Sequence, residues 1–399
     1  MELAPLTTNS NSFSHRTFRW SNEATGKAAV HCVIIGFGRS AIDRYRLFDY
    51  EKVNSEPHEI FASRINAYLV DAPDAFLHKR SNSICPCKPL NYGSMANDDG
   101  HLILDRKERD ELLAQEPTST QFIRRYVGAQ EFLNSTERWC LWLKDVSPRE
   151  LNIMLGVRTR VEAVRKFRLK SDRAESVKLA AFRALFGEIR QPEIPYIILP
   201  RVSSENRPVM PIGVLSQEII ANGSALIIPG GESFDLGVLT SNMHMAWMRA
   251  VAGLMKSDYQ YSAQIVYNNY PWPDLSDANA NSCGAKSGFT KQKEAIELAA
   301  QAVLDARAAH PTSSLADLYD PLSMPANLVK AHQKLDAAVD AVYFAAYAAD
   351  GAKKSWKSDA ERVAFLFTLY QKFTSLLPVD ATKPTRARTK KPETSKPAA

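Results

Sequence analysis

The sequence has no long apolar run. Its most hydrophobic stretches, such as VHCVIIGF and SALIIPG, fall far short of the ~20 residues a membrane-spanning helix needs. MELAPLTTNSNSFSHRTFRW, at the N-terminus, has no basic segment leading into an apolar one; no secretory signal is expected, and the chain reads as cytoplasmic. Cysteine is scarce: Cys32, Cys85, Cys87, Cys140 and Cys283 are odd in number and irregular in spacing, as reduced thiols are. ICPCKP holds a C-x-C with no second pair at finger spacing, and the eight histidines are scattered with no H-E-x-x-H, so no metal site is expected. There is no internal repeat and no Asn-Pro-Pro. These absences set aside membrane transport, disulfide scaffolds and zinc chemistry.

What is present is an ordinary globular composition, 45% apolar and 24% charged over 399 residues, enough for two or three domains with real cores. The net charge of +6 is mild and points to nucleic acid only where it clusters. It clusters twice. Residues 158–178 carry eight Lys/Arg against three Asp/Glu, and the tail after Thr382, KPTRARTKKPETSKPAA, carries six against one. The tail has nothing to bury and reads as disordered over 378–399, either a solubilising tail or an arm that grazes DNA.

FSHRTFRW alternates and AAVHCVIIGF is a β-rich run, with turn residues between them, so a β-hairpin is expected. RSAIDRYRLFDYEKVNSEP is polar with weak helical periodicity, and SNSICPCKPLNYGSMANDDG reads as a connection between domains. Asp105 with Glu108, and Ser147-Pro148 with Glu150, are helix starts. The second of these opens a helix with Val157, Val161 and Val164 on its inner side and the basic cluster outside. Strands return in PYIILPRV, VMPIGVL and SALIIPG, and FDLGVLTSNMHMAWMRAVAGLMK resumes helical spacing. Beyond a polar linker at 276–290, three amphipathic helices are expected, with Ile296, Val303, Leu328, Leu335, Val339, Val363 and Leu366 among their inner residues.

Gly36, Gly38 and Ala41 are spaced as G-x-G-x-x-A after a strand, the spacing of a nucleotide-phosphate turn. A dinucleotide fingerprint also needs a well-formed helix after the turn and an acidic residue about 20 positions on at the end of a second strand. Both are missing, so a nucleotide-binding enzyme is the weaker alternative. NNYPWP lacks the two prolines before an aromatic that an adenine-methylating site uses, and is rejected as catalytic.

FSHRTFRWSNEATGKAAVHCVIIGF resembles the closing hairpin of a class I S-adenosylmethionine-dependent DNA methyltransferase, in particular the type IIG/IIL, MmeI-like restriction–modification enzymes. The resemblance continues in order through NYGSMANDDGHLIL, EFLNSTERWCLWLKD, LFGEIRQP, LPRVSSENRPVMPIG, LGVLTSNMHMAWMRAVAG, SDYQYSAQIVYNNYPWP and LYDPLSMPANLVKAHQKLDAAVD, covering most of residues 11–375. It implies a mixed α+β fold: the terminal β-hairpin of a class I methyltransferase sheet (1–75), a mixed α/β target-recognition domain (76–275) and a small C-terminal helical bundle (285–377). In that family the methyl-donor loop and the Asn-Pro-Pro-aromatic motif precede the hairpin, and the nuclease motif lies further upstream. Neither of the first two motifs occurs in this sequence, and the nuclease motif is missing as well. The chain thus reads as the recognition part of a larger adenine-N6 methyltransferase, with no catalytic residue of its own and S-adenosylmethionine bound only by the complete enzyme. The other reading is a methyltransferase subunit completed by an upstream half on a separate chain.

Sequence readout requires donor and acceptor side chains at base edges. RVSSENRPV offers Ser204, Glu205, Asn206 and Arg207 in one turn between strands, and the resemblance implies that Glu205 and Arg207 are a base-choosing Glu-x-Arg pair. Pro208 and Val209 depart from the basic or polar residues that the resemblance leads one to expect there. Read on residues alone, the turn is a solvated hairpin with a local Glu–Arg ion pair. Arg158, Arg165, Arg168 and Lys170, with Arg160 and Lys166 on the same helix and Arg201 before the turn, are phosphate candidates; the other reading of that helix is a solvated face. Trp139 and Trp142 read as core.

Overall fold

A computed structural model describes residues 10–20, 30–38, 44–50, 55–276 and 289–375. Ala41, Cys283 and the basic tail lie outside the described residues. The structure is mixed α+β, with four small sheets and eleven helices among the described residues.

The first sheet is β1 (Ser10–Trp20), β2 (Val30–Gly38), β3 (Tyr45–Asp49) and β4 (His58–Ala62), in the order β2-β1-β3-β4. β1 and β2 form the expected antiparallel hairpin, Trp20 opposite Val30 and Phe13 opposite Gly36. β3 lies parallel to β1. This corrects the weakly helical reading of RYRLFDY: the segment is short and alternates, and pairing with β1 on one side and β4 on the other outweighs its local periodicity. β2 is unusual, because Val30, Val33, Ile34, Ile35 and Phe37 are all exposed, although a Val/Ile run of this kind suits a strand covered on both faces.

Three further sheets follow. One has the order β11 (Gly213–Leu215), β9 (Tyr196–Pro200), β13 (Ala225–Pro229), β5 (Asn91–Tyr92). The next has β12 (Ile220–Ala221), β7 (Ile123–Val127), β8 (Trp139–Leu141), β6 (Ile103–Leu104), and the last has β10 (Val202–Ser203), β15 (Asp258–Gln260), β14 (Gly253–Met255). β9, YIILP, is buried at every position and forms the spine of its sheet.

The helices are α1 (Arg106–Gln115), α2 (Ala129–Asn134), α3 (Pro148–Ile153), α4 (Leu155–Leu169), α5 (Ala174–Leu179), α6 (Ser233–Thr240), α7 (Asn242–Val251), α8 (Thr290–Ala308), α9 (Leu315–Leu318), α10 (Ala326–Tyr347) and α11 (Asp359–Thr374). α1 and α3 carry the capping boxes read from Asp105/Glu108 and Ser147/Glu150. α4 buries Val157, Val161 and Val164 against Leu102, Leu104, Trp139 and Leu141; Trp139 is therefore core, with Trp142 packed against the same cluster.

The C-terminal helices do not close a core of their own. Ile296, Leu335 and Leu366 belong to one cluster with Ile197 and Leu199 of β9, Leu226 and Ile228 of β13, and Trp247 of α7. Gly237 allows α6 to lie against α8, since a Cβ there would sit 2.5 Å from Ile296 Cγ2. NNYPWP proves structural. Asn268 donates to the Arg80 carbonyl, Asn269 accepts from Arg80 Nε and donates to the His78 carbonyl, and Tyr270 is buried beside the Tyr343 hydroxyl. Among the described residues no helix is long and apolar enough to cross a membrane.

Two buried histidines sit in this shared core. His244 Nε2 lies 2.9 Å from the Tyr261 hydroxyl and His332 Nε2 lies 2.8 Å from that of Tyr319. Burial pushes both imidazoles down to about 3, so the folded state binds fewer protons than the unfolded one below pH 6.5. Stability is then fully present above pH 6.5 and is lost as pH falls toward 3. At pH 5 each histidine should cost about 2 kcal/mol. Urea denaturation at pH 7 and pH 5 should show this loss, and His332→Gln should remove about half of it; an equal loss in the variant would contradict the assignment.

Candidate nucleic-acid interface

β9 and β11 are antiparallel neighbours, with Ile198 opposite Gly213, and residues 201–212 make the excursion between them. The chain leaves β9 at Arg201, whose carbonyl accepts from Tyr261 N, and β10 then pairs with β15, Ser203 opposite Tyr259. At the tip, Arg207 N donates to the Ser204 carbonyl at 3.2 Å and Asn206 N to Ser204 Oγ at 3.3 Å, closing a tight turn. Serine suits the first position because its hydroxyl can satisfy a turn N–H. Asn206 is exposed and Glu205 and Arg207 are half-buried. The structure thus brings Ser204, Glu205, Asn206 and Arg207 into one turn.

Among the described residues no ion pair joins Glu205 to Arg207, and neither side chain has a hydrogen-bond partner. Burial lowers the Arg207 pKa, while Asp258 and Asp320 act to raise it. A half-buried guanidinium and a carboxylate two residues apart therefore keep their donors and acceptors free. Ser204 Oγ is already engaged within the turn, and Arg201 donates to the Gly223 carbonyl and stacks 5.0 Å from the Tyr92 ring centre.

Beside the turn lies an element that sequence periodicity missed. Helical spacing runs on into GLM, yet α7 ends at Val251 and Gly253–Met255 form β14. The β14–β15 hairpin turns at Lys256, whose φ is 58°, and exposes Leu254 and Met255. Gly253 directly after the last helical turn was the available signal.

The basic helix separates into two faces. Among the described residues Arg158, Lys166 and Lys170 are exposed with no ion pair, and Arg165 pairs with Glu162 alone, at 3.8 Å. Arg160 points inward to Glu108 Oε1 and the His101 carbonyl. Arg168 is a correction to the phosphate assignment: it is fully buried and so has no surface to offer a phosphate. Its Nε donates to the Asn97 carbonyl, Nη1 to those of Leu179 and Phe182, and Nη2 to those of Ala96 and Leu185, at 2.8–3.1 Å. All five N–H donors are used on backbone carbonyls of the segments that surround α4, the end of α5 included. Sequence reasoning placed it outward because charge alone does not report whether irregular backbone nearby needs donors.

The hairpin also settles the glycine spacing. Gly36 and Gly38 lie inside β2, and a Cβ on Gly36 would meet the Phe13 ring across the strand pair, at 2.1 Å. Gly36 serves strand packing within β2, which a nucleotide-phosphate turn does not, so the nucleotide-turn reading is withdrawn. For the same reason residues 30–38 do not fit the phosphate- or adenosine-holding loop of a nucleotide cofactor. Among the described residues no group of three or more His, Cys, Asp or Glu is placed to hold a metal ion.

A family model described as the MmeI target recognition domain matches residues 71–274, one for the MmeI C-terminal domain matches 289–378, and one for the MmeI DNA-methyltransferase domain matches 6–49. The chain belongs to the MmeI family. A solved structure of the type IIL restriction–modification enzyme MmeI in complex with DNA is similar at 43% identity and a TM-score of 0.78, over 92% of this chain and 46% of that one. DNA methyltransferase A of Bacillus subtilis (strain 168) is 33% identical over 364 residues, 91% of this chain and 38% of that protein. The chain thus spans less than half the length of these two relatives, and the resemblance read from its motifs is borne out.

The two arginine roles predict different responses. Arg168→Ala leaves buried carbonyls without donors and should destabilise the chain by at least about 3 kcal/mol in urea denaturation. Arg158→Ala, on the exposed face, should stay within about 0.5 kcal/mol. Equal, small effects from both would remove Arg168 from its buried role.

Proposed function

We propose that this chain is the sequence-recognition part of a site-specific DNA adenine-N6 methyltransferase of a restriction–modification system, and that its partner is double-stranded DNA. The observation that carries the proposal is the turn at residues 204–207, which holds Glu205, Asn206 and Arg207 side by side with the polar groups of their side chains unspent among the described residues. A carboxylate can accept from a cytosine amino group while a guanidinium donates to the O6 and N7 of guanine, so Glu205 and Arg207 can read one base pair jointly. Asn206 suits adenine by the same logic, and Ser204 shapes the turn. Arg158, Arg165, Lys166 and Lys170 contact phosphates from the outer face of α4, and Arg201 steadies the root of the turn.

In this reading the chain binds DNA without transferring methyl groups. Its sequence has no Asn-Pro-Pro-aromatic motif to hold a flipped adenine. S-adenosylmethionine supplies the methyl group in the complete enzyme. A second reading, a subunit completed by a separate methyltransferase half, is favoured by the exposure of Val33, Ile35 and Phe37 on β2, which a docked half would cover.

Selection of bound duplexes from a randomised pool tests the proposal. The wild-type chain should enrich a defined sequence, and Glu205→Lys combined with Arg207→Asp should change or relax one position of it, by roughly ten- to a hundredfold in preference. Arg158→Ala with Lys170→Ala should instead weaken binding to all sequences and flatten its salt dependence. An unchanged preference in the turn variant would rule the turn out as the reader.

A further inference from the structure

The return limb of the turn, residues 208–212, goes into the interior after half-buried Pro208 yet belongs to no strand: Val209, Met210 and Ile212 are almost inaccessible. Backbone carried into the interior outside a ladder must find its hydrogen bonds elsewhere. Among the described residues Met210 N has only the Met245 sulfur, at 3.4 Å. The limb's two bonded carbonyls are satisfied by side chains from helices. Arg249 Nη2, in the last turn of α7, donates to the Pro208 carbonyl, and Arg307 Nη1, in the last turn of α8, donates to the Ile212 carbonyl.

Both guanidinia are themselves held by the C-terminal helices. Arg249 Nη1 pairs with Asp359 Oδ2 at 2.7 Å, at the start of α11, where Arg362 lies 4.0 Å from Asp359 and pairs with buried Asp340 of α10. Arg307 Nε donates to the Tyr319 hydroxyl at 2.7 Å and its guanidinium covers the Tyr319 ring at 4.9 Å. Each arginine therefore spends one side of its planar fork on the C-terminal region and the other on the limb, a division that a lysine ammonium on its flexible stem does not reproduce.

We infer that Arg249 and Arg307 are positioning residues for base recognition, and that the C-terminal helices are part of the specificity apparatus. The inference rests on the reading of the 204–207 turn as the base reader. Arg207 is covalently bonded to the residue whose carbonyl Arg249 holds. The turn is thus fixed on one limb by β10–β15 pairing and on the other by two arginine anchors. Hydrogen bonds to base edges require placement within about 0.5 Å, which a limb with free carbonyls would not keep.

The test uses the full chain with Arg249→Met, Arg249→Lys and Arg307→Met, each checked by thermal melting. Duplex selection should show preference at the turn-read position falling about tenfold in Arg249→Met and Arg307→Met, with affinity for random DNA and its salt slope unchanged. Amide exchange across residues 205–212 should quicken in the same variants. Arg249→Lys keeps the charge and should fail to restore preference; full rescue by lysine would show that charge alone suffices and overturn the inference. Preference and exchange both unchanged in the methionine variants would overturn it too. If Glu205→Lys with Arg207→Asp alters the selected sequence while Arg249→Met does not, the positioning role falls alone. If neither alters it, the base-reading turn falls first and takes this inference with it.

Discussion

Backbone that is buried outside a helix or strand must still find hydrogen-bond partners, and in this chain arginine supplies many of them. Arg168 spends all five donors on the segments around α4, Arg160 takes the His101 carbonyl, and Arg249 and Arg307 hold the limb that follows the 204–207 turn. The guanidinium suits this work because its planar fork can bond two or more carbonyls from different segments at once. The target-recognition region is built from strands of two to five residues, too short to satisfy much backbone by themselves. Its irregular connections depend on these side chains.

This use of arginine changes what the positive charge means. Of the basic residues in 158–178, Arg160 and Arg168 face inward and Lys178 pairs with Glu175 in its own helix. Arg158, Lys166, Lys170 and Arg173 remain exposed without an ion pair among the described residues. The face that can meet a phosphate backbone is therefore narrower than the sequence cluster. The turn shows the reverse: its Glu and Arg lie close enough in sequence to neutralise one another, yet among the described residues neither side chain has an ion pair or hydrogen bond.

Much of the architecture was legible in the sequence where local chemistry decides it. The capping pairs at Asp105/Glu108 and Ser147/Glu150, the buried valines of α4 and the β1–β2 hairpin all rest on contacts within a few turns or one strand pair. The placement of 204–207 as a turn was legible for the same reason. What escaped depends on partners far along the chain. Tyr45–Asp49 becomes a strand through β1 and β4, Arg168 turns inward to carbonyls as distant as Ala96, and the α8, α10 and α11 faces bury into the β9–β13 core instead of only against each other. No window of local periodicity contains that information. The family resemblance did extend over the whole of it, since an ordered series of segments carries the tertiary arrangement with it.

If the 204–207 turn reads base edges, it enters the major groove at a defined register. Asn206→Cys carrying a tethered iron–EDTA group tests it directly, with the untreated-position chain, labelled alike, setting the background from its own thiols. On duplexes enriched by the chain, the account predicts cuts confined to a few adjacent nucleotides of the bound site, with the strand offset of a major-groove source. Cutting spread evenly along the duplex, or offset as from the minor groove, would contradict it.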